Sequence, residues 1–233
     1  MEDIKGSRIY GRRQGVPLSA TRQARLENWL PKIGITLPAA AVQVAPETYF
    51  DSSHSDFWLE IGFGKGEHLA AQAAAHPEIG MIGSEPFQNG VSGLIDLVDE
   101  GGLSNVRLFQ DDARLLMDSL PNASIGRAFI LFPDPWPKAR HHKRRIVSTG
   151  NIAVLSRILK DGAELRIGTD HMEYCRWIMA HMLASSDFVW QCDTPADWRN
   201  RPDDWPPSRY EIKSQQAGRV SSYLRFIRRP RSL

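Results

Sequence analysis

Four acidic positions carry the first chemical signal in this sequence. Glu60, Glu85, the pair Asp111-Asp112, and Asp134 each stand at the end of a short apolar run. A carboxylate at the carboxyl end of a buried strand can accept hydrogen bonds from a ligand, although each one alone can equally cap the helix that follows. Their recurrence after four successive runs favours a shared site. The first acid opens Glu60-Ile61-Gly62-Phe63-Gly64-Lys65-Gly66, a G-x-G-x-G turn rather than the G-x-G-x-x-G of dinucleotide enzymes. Gly62 and Gly64 admit positive φ and let a ligand approach the backbone.

Glu85, 23 residues past Gly62, is placed to accept hydrogen bonds from both hydroxyls of a ribose. Asp112 is placed to receive an adenine amino group, with Asp111 as its neighbour. So many carboxylates serve a pyrophosphate poorly but suit a sulfonium cation, which favours S-adenosylmethionine over a dinucleotide. The fourth acid lies in Phe132-Pro133-Asp134-Pro135-Trp136-Pro137. Each proline fixes its own φ and pushes its predecessor towards an extended conformation, so a stiff, extended exit is expected to display Asp134 and Trp136. The alternative is a rigid turn in which Asp134 caps a helix and Trp136 fills the core. Lys138, Arg140, His141, His142, Lys143, Arg144 and Arg145 follow at once. An acid and an aromatic ring beside a cationic strip make a pocket for a nucleotide base: the ring stacks, the carboxylate hydrogen-bonds and the cations hold phosphates.

The elements that must position these groups are legible in outline. A short helix from about Ser19 to Leu30 is expected, stopped by Pro31. Strands are expected at 57–62, 80–85, 106–110, 128–132 and 163–167, with late strands at 188–192 and 220–227. Between them come helices around 69–75, 87–100, 148–160 and 172–183, the last burying Met172, Cys175, Ile178, Met179, Met182 and Leu183. Alternating strands and helices predict a mostly parallel sheet covered on both faces, an α/β fold, with an antiparallel hairpin at one edge. Residues 1–50 read as a basic N-terminal extension and 51–233 as the main domain.

Composition sets the wider limits. Hydrophobic residues make up 42% and charged residues 24% of 233 residues, as in ordinary globular proteins with one substantial core. No apolar stretch approaches a membrane span, the N-terminus lacks a signal-peptide core, and the two cysteines have no metal-ligand spacing. A cytoplasmic protein with reduced thiols and no metal is expected. The net charge is only +2, yet the cations are segregated. Residues 4–26 and 135–160 contain no acid, and after Glu211 the tail carries Lys213, Arg219, Arg225, Arg228, Arg229 and Arg231 unopposed. Such segregation suggests a polyanion-facing surface; the alternative is three solvated stretches that never meet.

Taken together, the Gly-rich turn, the Pro-Asp-Pro-Trp block with Lys138, and Arg140-His141-His142-Lys143-Arg144-Arg145 resemble the bacterial tRNA (guanine-N7)-methyltransferase family. Gly168-Thr169-Asp170, Ser208-Arg209-Tyr210-Glu211 and the segment from Tyr10 to Gly15 extend the resemblance over nearly the whole chain. The resemblance implies a class I S-adenosylmethionine-dependent methyltransferase fold, Rossmann-like, with a seven-stranded sheet whose last strand is antiparallel. It implies methylation of N7 of guanine 46 in the tRNA variable loop. Glu60, Glu85, Asp112 and Asp134 would then contact the cofactor or its surroundings. Lys138, Asp170, Ser208, Arg209, Tyr210 and Glu211 would contact substrate. Ser208 and Tyr210 stand where the family has Thr and Phe. Guanine N7 carries a lone pair and no proton, so Asp134 is expected to orient the base and stabilise developing charge rather than remove a proton. Competing readings are a methyltransferase of proteins or small molecules, a non-catalytic RNA-binding protein on the same fold, and a nicotinamide dehydrogenase.

Overall fold

The computed structural model describes residues 10, 13–39 and 42–231. Lys5, Arg8 and Arg12 of the first basic stretch lie outside the described residues. A seven-stranded sheet has the order β3-β2-β1-β4-β5-β7-β6. Its strands are β1 (Asp56–Ile61), β2 (Ile79–Ser84), β3 (Val106–Phe109), β4 (Ile125–Leu131), β5 (Leu159–Thr169), β6 (Phe188–Trp190) and β7 (Ser222–Arg228). The pairings from β3 through β5 are parallel, whereas β7 runs antiparallel to both β5 and β6. The expected antiparallel pair therefore forms at one edge, with β7 inserted second from that edge and β6 outermost.

Helices cover both faces. On one side lie α1 (Ala20–Ile33), α2 (Glu67–Ala75) and α3 (Gln88–Gly101); on the other lie α4 (Ala113–Ser119), α5 (Thr149–Ile158) and α6 (Met172–Leu183). The short α7 (Ala196–Arg199) and α8 (Arg209–Gln216) sit between β6 and β7. Alternation along β1 shows how two cores arise from one strand: Phe57, Leu59 and Ile61 pack into one cluster and Trp58 into the other. Each fully buried Leu or Ile in these clusters contributes roughly 1.5–3 kcal/mol.

Several local expectations are corrected. Pro31 lies inside α1 rather than ending it; the helix runs on to Ile33 and closes on the Gly34 N–H bond to the Leu30 carbonyl. A proline in the last turn costs one intrahelical bond, and the burial of Ile33 with Leu26 holds that turn in place. α4 was not foreseen; its N-cap is Asp112, whose side chain accepts from the Arg114 N–H. α5 ends at Ile158, and β5 begins at once at Leu159, which pairs with Ile125. In α6, Met172 and Leu183 are exposed while Tyr174 is buried with Cys175, Ile178 and Met182. The described part of residues 1–50 packs on the sheet: Ile35 N–H bonds the Leu108 carbonyl and Val44 N–H the Ser119 carbonyl, and α1 rides on α3.

The chain leaves β1 for β2 and β3 on one side, then returns to β4 on the other. That reversal opens a crevice beyond the carboxyl ends of β1 and β4, where ligands bind in sheets of this kind.

Candidate active site

A cavity of about 590 Å³ occupies that crevice, a size typical of small-molecule sites. Glu60, Gly62, Gly64, Glu85 and Asp112 line one side, Asp134 and Trp136 another, and Ser208, Arg209 and Tyr210 a third. The turn after β1 makes this geometry possible. Gly62 and Gly64 have φ of 73° and 59°, which side-chain-bearing residues rarely adopt. α3 presses closely against the turn: a Cβ on Gly90 would lie 2.2 Å from the Gly64 carbonyl oxygen.

The acids on this side are buried and committed to protein partners. Glu60 Oε2 accepts from His68 Nδ1 at 2.7 Å, both groups being buried. Glu85 accepts from Gly64 N–H at 2.9 Å and from Phe87 N–H at 3.0 Å, so it ties the turn after β1 to the start of α3. Burial raises the Glu85 pKa; its two backbone hydrogen bonds oppose that rise, and repulsion from Asp134 and Glu60 adds to it. Asp112 combines cap and ion pair: besides capping α4, it receives Arg114 Nη1 at 3.1 Å. Asp111 Oδ1 accepts from the Asp112 N–H and from Arg13.

Asp134 differs. Its side chain is open to the cavity and makes no hydrogen bond or ion pair among the described residues, and desolvation by the surrounding protein raises its pKa. The expected extended exit is corrected here. Phe132 and Trp136, the residues before Pro133 and Pro137, have φ of 51° and 41°. An aromatic residue in that region costs on the order of 1–3 kcal/mol, so the tertiary surroundings must hold it. Part of the hold is the Phe132 N–H bond to the Gly168 carbonyl and the Phe132 ring against Tyr210, centroids 5.6 Å apart. Trp136 neither fills the core nor stands free. Arg144 lies over its ring at 4.9 Å and over Tyr10 at 5.1 Å, a stacked cation at the cavity mouth.

A sequence family described as "Putative methyltransferase" matches residues 54–223. A tRNA (guanine-N(7)-)-methyltransferase of Rhodospirillum rubrum is 48% identical over 230 residues, covering 97% of this chain and 89% of the relative. That of Zymomonas mobilis is 44% identical, covering 95% of this chain and 94% of the relative. The chain belongs to the tRNA (guanine-N7)-methyltransferase family. The fold agrees at far lower identity. A 16S rRNA (adenine(1408)-N(1))-methyltransferase from Catenulisporales acidiphilia superposes with a TM-score of 0.53 at 17% identity, covering 86% of this chain and 99% of that one. An antibiotic-related methyltransferase gives 0.54 at 18% identity, covering 81% and 96%.

As a member of this family the protein is an S-adenosylmethionine-dependent methyltransferase, and the cavity fits that cofactor. Glu85 lies within electrostatic reach of both Asp134 and Glu60, and burial raises the Glu85 and Asp134 pKa values, a cost that a cationic ligand relieves. Candidate metal-binding groups of three or more His, Cys, Asp or Glu are absent among the described residues.

The remaining predicted site residues separate into those near the cavity and those held elsewhere. Ser208 caps α8 by accepting from the Glu211 N–H, and Arg209 faces Glu67 at 3.8 Å. Asp170 lies behind Tyr210, whose hydroxyl donates to it at 3.3 Å, while Ser214 and Arg219 also donate to it. Burial pushes the Asp170 pKa up, but the Ser214 and Arg219 hydrogen bonds outweigh it and the net shift is downward. Glu211 is buried beneath this layer, bonded by the Tyr223 hydroxyl and paired with Arg201 at 3.5 Å, so it supports the rim rather than facing a ligand. Lys138, Arg140 and Lys143 are exposed outside the cavity.

Arg145 corrects the expectation of a phosphate contact. It is wholly buried, paired with Glu173 at 2.6 Å and stacked on Tyr174 and Trp177, and its Nε donates to the Pro135 carbonyl at 2.8 Å. Arg145 therefore fastens the Asp134 loop from behind. The tail is likewise not unopposed: Arg219 pairs with Asp170, Arg225 with Glu164, and Arg228 and Arg231 with Asp161. Segregation along the chain became pairing in space. Sequence reasoning missed His68, Arg114 and Phe63 as cavity residues, and only the position of His68 in the first turn of the helix after the Gly-rich motif offered a signal.

Proposed function

We propose that this enzyme methylates N7 of guanine 46 in the tRNA variable loop, with Asp134 as the carboxylate that receives the base. Asp134, open to the cavity beside the Trp136–Arg144–Tyr10 stack and unpartnered among the described residues, carries this reading, because it joins a free acceptor to a base-stacking and phosphate-holding rim. Glu60, Gly62, Gly64, Glu85 and Asp112 form the cofactor seat. Ser208, Arg209 and Tyr210, backed by Asp170 and Glu211, shape the opposite wall, and Lys138 meets the substrate outside the cavity. Arg140, Lys143 and Arg144 hold the RNA backbone through phosphates. The enzyme works where tRNA is found, in the cytoplasm.

S-adenosylmethionine, when bound, supplies an electrophilic methyl group on a cationic sulfur. Guanine N7 presents a lone pair with no proton to remove, so no side chain need act as a general base. The protein's task is alignment: Trp136 and Tyr210 limit the tilt of the purine and Asp134 fixes its edge. Positive charge develops on the purine during transfer. The Asp134 carboxylate, facing the cavity, attracts that cation, and the attraction strengthens as the bound base displaces water from around it. The test is incubation with unmodified tRNA and methyl-labelled cofactor, followed by chemical cleavage at 7-methylguanine. A single break at position 46 is expected, and label on any other atom would overturn the reading.

A further inference from the structure

Beneath the cavity, α2 buries a chain of polar side chains that no step above employs. His68 and Gln72 are 2% and 3% exposed on the inner face of an otherwise alanine- and leucine-lined helix. A buried imidazole is costly unless both nitrogens find partners. Here Nδ1 lies 2.7 Å from Glu60 Oε2, and Nε2 lies 3.4 Å from Gln72 Nε2. A carboxylate only accepts, so Nδ1 carries the hydrogen, and the Nε2 lone pair faces the Gln72 amide. The same amide donates to the Asp204 carbonyl at 2.8 Å. Asp204 in turn receives both terminal nitrogens of buried Arg166, at 3.0 and 2.6 Å. The next residue, Trp205, is fully buried with its ring 6.3 Å from His68.

One helix thus touches both halves of the site. Its His68 holds Glu60, whose other oxygen takes no protein hydrogen bond among the described residues. Its Gln72 holds the backbone at 204, four residues before Ser208 opens the opposite wall. Glu67, beside His68, faces Arg209 of that wall. His68 and Gln72 form a continuous path of contacts from Glu60 to the backbone at 204, and any coupling along such a path acts equally in both directions.

We propose that His68 is a positioning residue that keeps Glu60 in its cofactor-facing orientation and couples that seat to the 201–211 segment. Cofactor and tRNA thereby tighten each other's binding. The inference rests on the assignment of the cavity as cofactor seat and of residues 208–211 as substrate wall.

The test is calorimetric titration of S-adenosylhomocysteine into the full-length protein, with and without saturating unmodified tRNA. Wild type, His68→Asn, His68→Gln, His68→Leu and Gln72→Met are compared, each checked for folding by thermal melting. Asn retains a donor where Nδ1 stands but has nothing at Nε2; Gln has the reverse. His68→Leu and His68→Gln should weaken S-adenosylhomocysteine by roughly tenfold or more, the loss expected for one charge-assisted hydrogen bond. His68→Asn and Gln72→Met should bind it within about threefold of wild type. In wild type, tRNA should tighten binding by about fivefold or more, and none of the four variants should retain that gain. The Asn–Gln contrast decides the matter even if His68→Leu does not fold, because a purely structural histidine would be damaged alike by both. Equal weakening by Asn and Gln, unchanged binding in folded His68→Leu, or no tRNA effect in wild type would each overturn the proposal. If instead wild type binds no S-adenosylhomocysteine at all, the assignment of the cavity fails.

Discussion

The two halves of the cavity are built on opposite principles. On the cofactor side, Glu60, Glu85 and Asp112 come from strand ends, are buried, and spend at least one oxygen each on a protein donor. On the substrate side, Asp134 has no donor among the described residues and sits in a loop where Phe132 and Trp136 hold strained backbone angles. The first arrangement makes a rigid seat whose charges are partly satisfied before any ligand arrives. The second keeps an acceptor free and holds Trp136 beneath Arg144 at the cavity mouth, at a cost borne by the packing behind them. A small ligand needs a preformed mould, whereas a base extending from a large RNA needs groups still available for contact.

The largest expected effect breaks this contrast directly. Asp134→Ala should reduce kcat by roughly 10²–10³-fold, as for loss of a group aimed at developing charge, while leaving S-adenosylhomocysteine affinity within about threefold. Single-turnover kinetics and calorimetry on the same preparation separate the two. A loss that appeared only in affinity would move Asp134 to the cofactor side.

Next comes the packing that holds the loop. Arg145→Ala empties the fully buried space against Tyr174 and Trp177 and leaves the Pro135 carbonyl without its donor, and should cost about 3 kcal/mol, or roughly 6–12 °C in Tm. Arg140→Ala and Lys143→Ala, five and two residues away, should stay within about 0.5 kcal/mol. Their effect belongs to RNA: each should lower the slope of log affinity against log salt by roughly 0.7–0.9, measured by filter binding across a salt series. Equal melting temperatures for all three variants would erase the distinction between buried and exposed members of this basic run.

The smallest effects are in pH dependence, and their signs oppose each other. The Asp134 pKa is raised in the fold, so its ionisation costs stability above that pKa and the cost disappears at low pH. Asp134→Asn should therefore melt on the order of 1 °C higher than wild type at pH 8, with the gap closing as pH falls through the raised pKa. The Asp170 pKa is depressed, so its ionised form stabilises the fold above the unfolded value of about 3.9 and that contribution is lost as pH falls through the folded pKa. Asp170→Asn should melt roughly 2–4 °C lower at pH 7 and converge on wild type only in strong acid. Scanning calorimetry from pH 3 to pH 8 reads both.

Much of the framework was legible because it depends on local pattern. The apolar runs that became β1 to β4 bury nearly every residue, and periodicity alone marked α3, whose Val91, Leu94, Ile95 and Val98 are all buried. The Gly-rich turn was legible because few residues tolerate its φ angles. α4 escaped notice because seven residues hold too few turns to display a period, and its cap was also a candidate ligand. Phe132 and Trp136 defied their local preference because distant groups, the Gly168 carbonyl, Tyr210 and Arg144, overrode what the prolines favour.

From the chain alone came the identity of the chemistry: acids after four strands, a proline-braced Asp134, and cations beside it. Those are statements about which residue types stand near which strand ends, and covalent order suffices for them. Partnership was decided only in three dimensions. Whether an arginine meets water or Glu173, whether Glu60 stands alone or leans on His68, and whether Asp134 is capped or free depend on residues eight to tens of positions apart. Coulombic and hydrogen-bond energies fall off with distance in space, not along the sequence, so the folded structure had to assign them.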